Sequence, residues 1–231
     1  VSLKREEMKH VLRCAAAQLP GLKSLKLTQV RADDHALYAL SEFLALRPLA
    51  SLDISENCFT HAGLTFIAES LRTCHTLRCL TINRNQQGLK HQAAPPPYIR
   101  ALLPHWERNT AKAQKEAELT DAEEDVQRRM EANAGAYGVE LLLQGISQNT
   151  SLELLDLGCN DICLDDVSTS AWETLRDGNQ TLRWLLLQEV SMGLQLNCLA
   201  HFPRTVEYLD LSKSGPMSFV NIAQGLFHAE N

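Results

Sequence analysis

The stretch TSLELLDLGCND, residues 150–161, contains a pattern that returns twice more in the chain. The pattern is an apolar residue, two free positions, an apolar residue, one free position, an apolar residue, two free positions and an asparagine. The other two copies are LASLDISENCF, residues 49–59, and TLRCLTINRNQ, residues 76–86. Such a recurrence has to be interpreted before any local motif, because it decides the fold.

Relaxing the final asparagine adds three further copies. The middle leucines of the six copies are Leu25, Leu52, Leu80, Leu155, Leu185 and Leu209. The centre of each copy predicts a short strand with its leucines on one side and its free residues on the other. Because such a strand cannot bury its leucines alone, we expect parallel strands stacked side by side. The asparagines are expected to bond backbone groups at the turn and to form a ladder.

Segments with helical spacing of apolar residues lie between the copies. They are residues 33–46, 60–74, 137–148 and 165–178. Asp33 and Thr60 stand at the start of the first two and are predicted N-caps. Residues 2–18 and 216–231 are interpreted as helices of the same kind. Strands that alternate with returning helices predict an α/β fold.

On these residues the chain resembles the ribonuclease-inhibitor-like leucine-rich repeat family, whose units read LxxLxLxxN followed by a helix. The resemblance implies a curved solenoid of about six repeats, with parallel strands on the concave side and helices on the convex side. Members of the family bind proteins as cytosolic inhibitors, immune receptors, activators of the Ran GTPase and subunits of the ciliary axoneme. The resemblance therefore implies protein binding, but it does not imply one partner.

The repeats are interrupted, which predicts three parts. These are repeats at residues 1–85, a Pro-rich and charged helical insertion at 86–136, and further repeats at 137–231. Thr120 and Glu123 match a capping box, so a helix is expected to begin there. Two interpretations of the insertion stay open: a solvated helix against the convex side, and a protruding arm that docks a partner. Neither end of the repeats has a recognisable cap, so we expect further repeats or membership of a larger complex.

Composition and motifs exclude several classes of protein. No apolar run is long enough to span a bilayer, so no membrane partner is predicted. The net charge of −6 argues against nucleic acid. The seven cysteines are interpreted as reduced thiols of a cytosolic protein. Phosphate-binding loops, dinucleotide fingerprints, zinc-binding helices and nucleophile elbows are absent from the sequence. We therefore predict no enzymatic activity, no catalytic residue, no metal site and no cofactor.

The free positions of the predicted strands line the concave side in two columns. In the first three copies these positions are small and polar, whereas the last three copies gather apolar residues flanked by aspartates. The residues predicted to contact a protein partner are Leu154, Asp156, Trp184, Leu186, Tyr208 and Asp210. An apolar group of the partner would fit there, with a lysine or arginine that reaches either aspartate. The alternative is that the insertion or a C-terminal segment covers these residues.

These observations predict a non-enzymatic protein–protein interaction module that binds through the concave side, with the insertion as a further contact. One alternative is a structural subunit of a large cytoskeletal, ciliary or axonemal assembly. Another is a small-GTPase regulator resembling the Ran GTPase activator, which calls for a strongly acidic tail that this sequence does not contain. We expect a cytoplasmic protein, with the cytoskeleton or a cilium as the alternative location.

Overall fold

The computed structural model describes residues 5–85, 138–160, 162–164, 167–191 and 197–214. Six strands lie in these ranges: β1 (Ser24–Lys26), β2 (Ser51–Asp53), β3 (Cys79–Thr81), β4 (Leu154–Asp156), β5 (Trp184–Leu186) and β6 (Tyr208–Asp210). The α-helices among them are α1 (Arg5–Gln18), α2 (Asp34–Leu46), α3 (His61–Leu71), α4 (Gly138–Ser147) and α5 (Thr169–Gly178). A 3-10 helix, Asn197–His201, precedes β6. The predicted insertion at 86–136 and the predicted helix at 216–231 lie outside the described residues.

The strands form one parallel sheet in the order of the sequence. Their middle leucines are partners in register throughout, as Leu52 and Leu80 illustrate. The predicted alignment of the six copies is thereby confirmed. β3 and β4 are neighbours although Leu80 and Leu155 lie 75 residues apart in the chain. The residues between them therefore span a single step of the sheet, as expected of an insertion within a repeat.

The core lies between the sheet and the helices. The four inner middle leucines are fully buried. They are Leu52, Leu80, Leu155 and Leu185. Leu25 and Leu209 are only partly buried, and each lies on a strand that has one neighbouring strand among the described residues. Within the described ranges, no helix combines the length and apolar character needed to cross a bilayer.

The helices begin where side chains can cap them. Asp33 accepts a hydrogen bond from the backbone N–H of Ala36 at 2.9 Å, so it is the predicted N-cap of α2. Thr60 caps α3 in the same way. The segment 165–178 is corrected, because α5 begins only at Thr169 after the N-cap Ser168. Before that point, Cys163 makes a parallel bridge to Ser191.

The asparagine ladder predicted from the sequence is present. Asn57 donates its side-chain amide to the carbonyl oxygen of Leu27 at 2.7 Å and accepts from the N–H of Ala32 at 3.0 Å. The backbone N–H of Asn57 donates to Asn85 Oδ1 at 2.7 Å, and that of Asn85 donates to Asn160 Oδ1 at 2.6 Å. All three asparagines are buried. They satisfy backbone groups where the chain turns away from the sheet, and no core leucine could do this.

A second pair of buried asparagines lies at the opposite end of the strands. The side-chain amide of Asn149 donates to the carbonyl oxygens of Leu71 and Cys74, both at 2.7 Å. That of Asn179 donates to the carbonyls of Ile146 and Asn149 at 2.8 and 3.0 Å. These bonds tie the end of one helix to the turn that enters the next strand. The sequence repeat did not reveal this pair, because the earlier copies have other residues at the same position.

Every copy turns through a left-handed backbone residue just before the asparagine position. The six residues have φ between 53° and 58°. They are Gln29, Glu56, Arg84, Cys159, Glu189 and Lys213. None is glycine, although glycine adopts this region most readily. The left-handed turn therefore recurs in all six copies, although no glycine at this position indicates it in the sequence.

Side chains of one helix also close the start of the next helix. The carboxylate of Asp34, in α2, accepts from the backbone N–H of Thr60 at 2.6 Å. In α3, His61 Nδ1 accepts from the N–H of Gly138 at 3.1 Å. Glu140 of α4 acts in the same way at the start of α5. α2, α3 and α4 thus each supply part of the cap that the next helix requires.

The contact between α3 and α4 is as close as a backbone permits. A Cβ atom at Gly138 would overlap the carbonyl oxygen of His61, and one at Gly145 would overlap that of Ala68. Gly138 and Gly145 are two turns apart and lie on one side of α4. The two helices on either side of the predicted insertion are therefore packed against each other as consecutive repeat helices.

Candidate protein-interaction surface

We call the side of the sheet opposite the helices the open face. Successive residues of a strand point to opposite sides, so a buried middle leucine directs its two neighbours to the open face. β5 shows this alternation directly, because Leu185 is fully buried while Trp184 is 40% exposed. The register partners of Trp184 and of Leu186 in the other strands form the two columns predicted from the sequence.

The open face carries mostly polar residues over the first three strands. Its residues there are Ser24, Lys26, Ser51, Asp53, Cys79 and Thr81. Lys26 and Asp53 form an ion pair at 3.0 Å. The thiol of Cys79 is partly buried, and this burial raises its pKa above the usual value. The thiol is therefore protonated near neutral pH and is unsuited to nucleophilic chemistry.

The open face becomes apolar over the last three strands. Trp184 and Tyr208 are register partners, and they are 40% and 52% exposed. Leu154 and Leu186 lie beside them and are partly exposed. We call these four residues the apolar patch. Large aromatic residues at this exposure are uncommon on a surface that does not bind another molecule.

Asp156 lies next to the apolar patch but differs from the expectation of an accessible carboxylate. It is only 7% exposed. Its carboxylate accepts from the backbone N–H of Gly158 at 2.8 Å and, over longer distances, from the side-chain amides of Asn83 and Gln188. The amide of Gln188 occupies the space where Gly158 has no side chain. Asp156 therefore organises neighbouring strands and offers little to a partner, which corrects the predicted contact.

Asp210 is on the open face and partly exposed, as predicted. It accepts from the backbone N–H of Ser212 at 2.9 Å, and this hydrogen bond lowers the pKa of the carboxyl. Asp210 takes part in no ion pair with any other described residue. Its carboxylate therefore places an accessible negative charge directly beside the apolar patch.

Other charged residues around the patch neutralise one another. Arg183 pairs with Glu207 at 3.0 Å, and Lys213 pairs with Glu189 at 2.9 Å. These pairs were not predicted from the sequence. They join equivalent positions in adjacent copies, so comparing the charges at equivalent positions of the copies would have revealed them. Among the described residues, Asp210 has no ion-pair partner of this kind.

The described residues contain no group of three or more histidine, cysteine, aspartate or glutamate side chains arranged to hold a metal ion. None of the seven cysteines, all of which lie in the described ranges, forms a disulfide. A surface cavity with a volume of about 910 Å³ lies between the end of α5 and the 3-10 helix. It is away from the apolar patch, and its lining includes Arg176, Phe202 and Arg204.

Comparison with protein-family models and with curated protein sequences found no match. Among solved structures, the chain is similar to the protein described as leiomodin-1 actin-binding site 2. The identity is 16%, the match covers 76% of this chain and 77% of the other, and the TM-score is 0.45. The chain itself has an α/β fold, in which a six-stranded parallel sheet alternates with helices. This arrangement is compatible with a leucine-rich repeat.

Proposed function

We propose that this chain is a leucine-rich-repeat solenoid that acts as a non-enzymatic protein-interaction module in the cytosol. Its partner binds the open face at the apolar patch. The observation that carries the proposal is the exposure of Trp184 and Tyr208, which are register partners on the open face.

The fold supports the first half of the proposal. Six three-residue strands in sequential parallel order, each aligned on its middle leucine, match what a leucine-rich repeat requires. The ladder through Asn57, Asn85 and Asn160 gives the family's asparagine position a physical role. An array of this kind presents its strand residues on one continuous surface, which suits the recognition of another protein.

The composition of the patch supports the second half. Tryptophan and tyrosine are enriched among the few interface residues that carry most of the binding energy. Trp184 and Tyr208 have exposed rings to bury, and Leu154 and Leu186 provide apolar surface around them. A partner that covers the patch removes this apolar surface from water, at roughly 25 cal/mol for each Å².

The test replaces Trp184 by alanine. Proteins retained by the immobilised wild-type chain are compared with those retained by the Trp184→Ala variant, and each candidate partner is then purified and titrated. We expect Trp184→Ala to weaken binding by ~2 kcal/mol or more, which corresponds to about 30-fold in Kd. The free energy of unfolding should change little, since the side chain is removed from the surface.

Lys26→Ala is the matched control, because Lys26 lies on the open face at the opposite end of the sheet. It should leave the affinity unchanged. A large loss of stability in Trp184→Ala with binding intact would instead place Trp184 beneath a covering segment of the chain. That result would contradict the proposed binding site.

A further inference from the structure

We infer that the partner inserts an arginine side chain into the corner formed by Trp184, Tyr208 and Asp210. The inference rests on the proposed function and specifies the chemistry that the open face recognises. It also gives the bound segment a direction across the sheet.

The corner is formed by side chains of two neighbouring strands, β5 and β6. Tyr208 and Asp210 lie on the same side of β6 with one residue between them, so they are separated by roughly 6.8 Å along the strand. Trp184 is the register partner of Tyr208, and Leu186 is the partner of Asp210. Neighbouring strands lie about 4.8 Å apart. A planar cation above this rectangle therefore reaches both rings and the carboxylate.

The charge of the corner is unbalanced. On the open face and along its borders, Asp53, Glu189 and Glu207 each pair with a lysine or arginine. Asp210 pairs with no cation among the described residues, and the backbone N–H of Ser212 holds its carboxylate in place. A carboxylate that is held in place, has no cation beside it among the described residues and lies next to two aromatic rings favours a cationic ligand over a neutral one.

Arginine fits this corner better than lysine does. Its flat guanidinium stacks on the faces of tryptophan and tyrosine and presents a fork of N–H donors to a carboxylate. Its methylene stem can lie along apolar surface such as Leu186. The ammonium of lysine is a compact, strongly hydrated charge and gains less from the rings.

The burial of Asp156 determines in which direction the bound segment lies across the sheet. The column that contains Leu186 has an aspartate on each side, yet only Asp210 is accessible. The cationic side chain therefore lies toward β6, and an apolar neighbour in the bound segment lies toward Leu154 on β4. A ligand that binds in the opposite direction would leave its cation over Leu154 without a carboxylate.

The experiment selects phage-displayed random linear peptides on the wild-type chain and discards those that also bind Trp184→Ala. We expect the retained peptides to share an arginine next to an apolar residue. Synthetic copies should bind Asp210→Asn at least about 10-fold more weakly than wild type. Substituting citrulline for the arginine, which removes the charge and keeps the shape, should produce a similar loss.

Asp53→Asn is the matched control, since it is the same substitution in the same column at the other end of the sheet. It should leave peptide binding unchanged. Retained peptides that carry no cation and bind Asp210→Asn normally would overturn the arginine inference, while their dependence on Trp184 would still support the proposed function. If no peptide depends on Trp184, both the inference and the proposed function fail.

Discussion

At the scale of single residues, adjacent positions of a strand have different roles. One position stabilises the fold, and the next is available to a partner. Leu185 is enclosed in the core, while Trp184 and Leu186 on either side of it face the solvent. Substitutions at the middle leucine and at its neighbours should therefore have different consequences. The middle leucine contributes buried apolar area, and its neighbours contribute surface that a partner can cover.

The middle leucines should dominate the stability of the sheet. We expect Leu155→Ala to lower the free energy of unfolding by ~2–5 kcal/mol, because it leaves a cavity between the sheet and the helices. Equilibrium denaturation with urea measures this directly. Ser51→Ala, on the open face, is the control and should shift the free energy by less than about 0.5 kcal/mol. An unchanged midpoint in Leu155→Ala would show that the strand faces are assigned incorrectly.

The sequence predicted the strand faces because apolar periodicity records which side of a strand is buried. It did not predict the state of Asp156. That carboxylate is buried by the amides of Asn83 and Gln188, which come from other copies, and by the missing side chain of Gly158. Interactions between copies are invisible to a pattern that is read within one copy. Asp210 differs because its hydrogen-bond partner, Ser212, is local, and its role as a partner contact stays a prediction.

At the scale of elements, the helices depend on one another through both caps and contacts. Asp34 on α2 completes the start of α3, and Gly145 on α4 admits the backbone of α3. The start of α5 lies later than predicted, at the N-cap Ser168, whose backbone N–H donates to Glu140 of α4. Apolar spacing located each helix, but the boundaries are decided by bonds to neighbouring repeats.

We expect Gly145→Ala to destabilise the fold by ~1–3 kcal/mol, because the added Cβ overlaps the carbonyl oxygen of Ala68 and forces α3 and α4 apart. Alanine is otherwise favoured over glycine within a helix, so a loss of stability identifies the close contact as the cause. Thermal unfolding measured by circular dichroism is sufficient. Gly21→Ala is the control, since a Cβ there meets no atom within 4 Å. A stabilised Gly145→Ala variant would contradict the close packing.

At the scale of the whole molecule, β3 and β4 are neighbours in the sheet although a long segment separates them in the chain. The register between Leu80 and Leu155 is the same as between other neighbouring strands, and α3 packs directly against α4. The described elements on the two sides of this segment are therefore in direct contact through both the sheet and the helices. The ladder from Asn85 to Asn160 crosses the same junction.

We expect a variant in which a short Gly/Ser linker replaces residues 88–134 to remain folded and to unfold cooperatively, because each repeat is stabilised by its nearest neighbours. Urea denaturation followed by both circular dichroism and tryptophan fluorescence should give one coincident transition. Two separated transitions, or a loss of cooperativity, would show that the replaced segment contributes to the core.

The second pair of buried asparagines has a consequence for how the protein can be made. Asn149-Thr150-Ser151 and Asn179-Gln180-Thr181 both read as N-glycosylation acceptors. Glycosyl transfer acts on chains before they are fully folded, and each asparagine must afterwards place its amide among backbone carbonyls where no glycan fits. We expect chain directed through a secretory pathway to carry glycans at these asparagines and to misfold, while chain made in a bacterial cytosol folds. Intact mass before and after glycosidase treatment, together with circular dichroism, would test this prediction. A folded protein with glycans on both asparagines would contradict the burial of their side-chain amides.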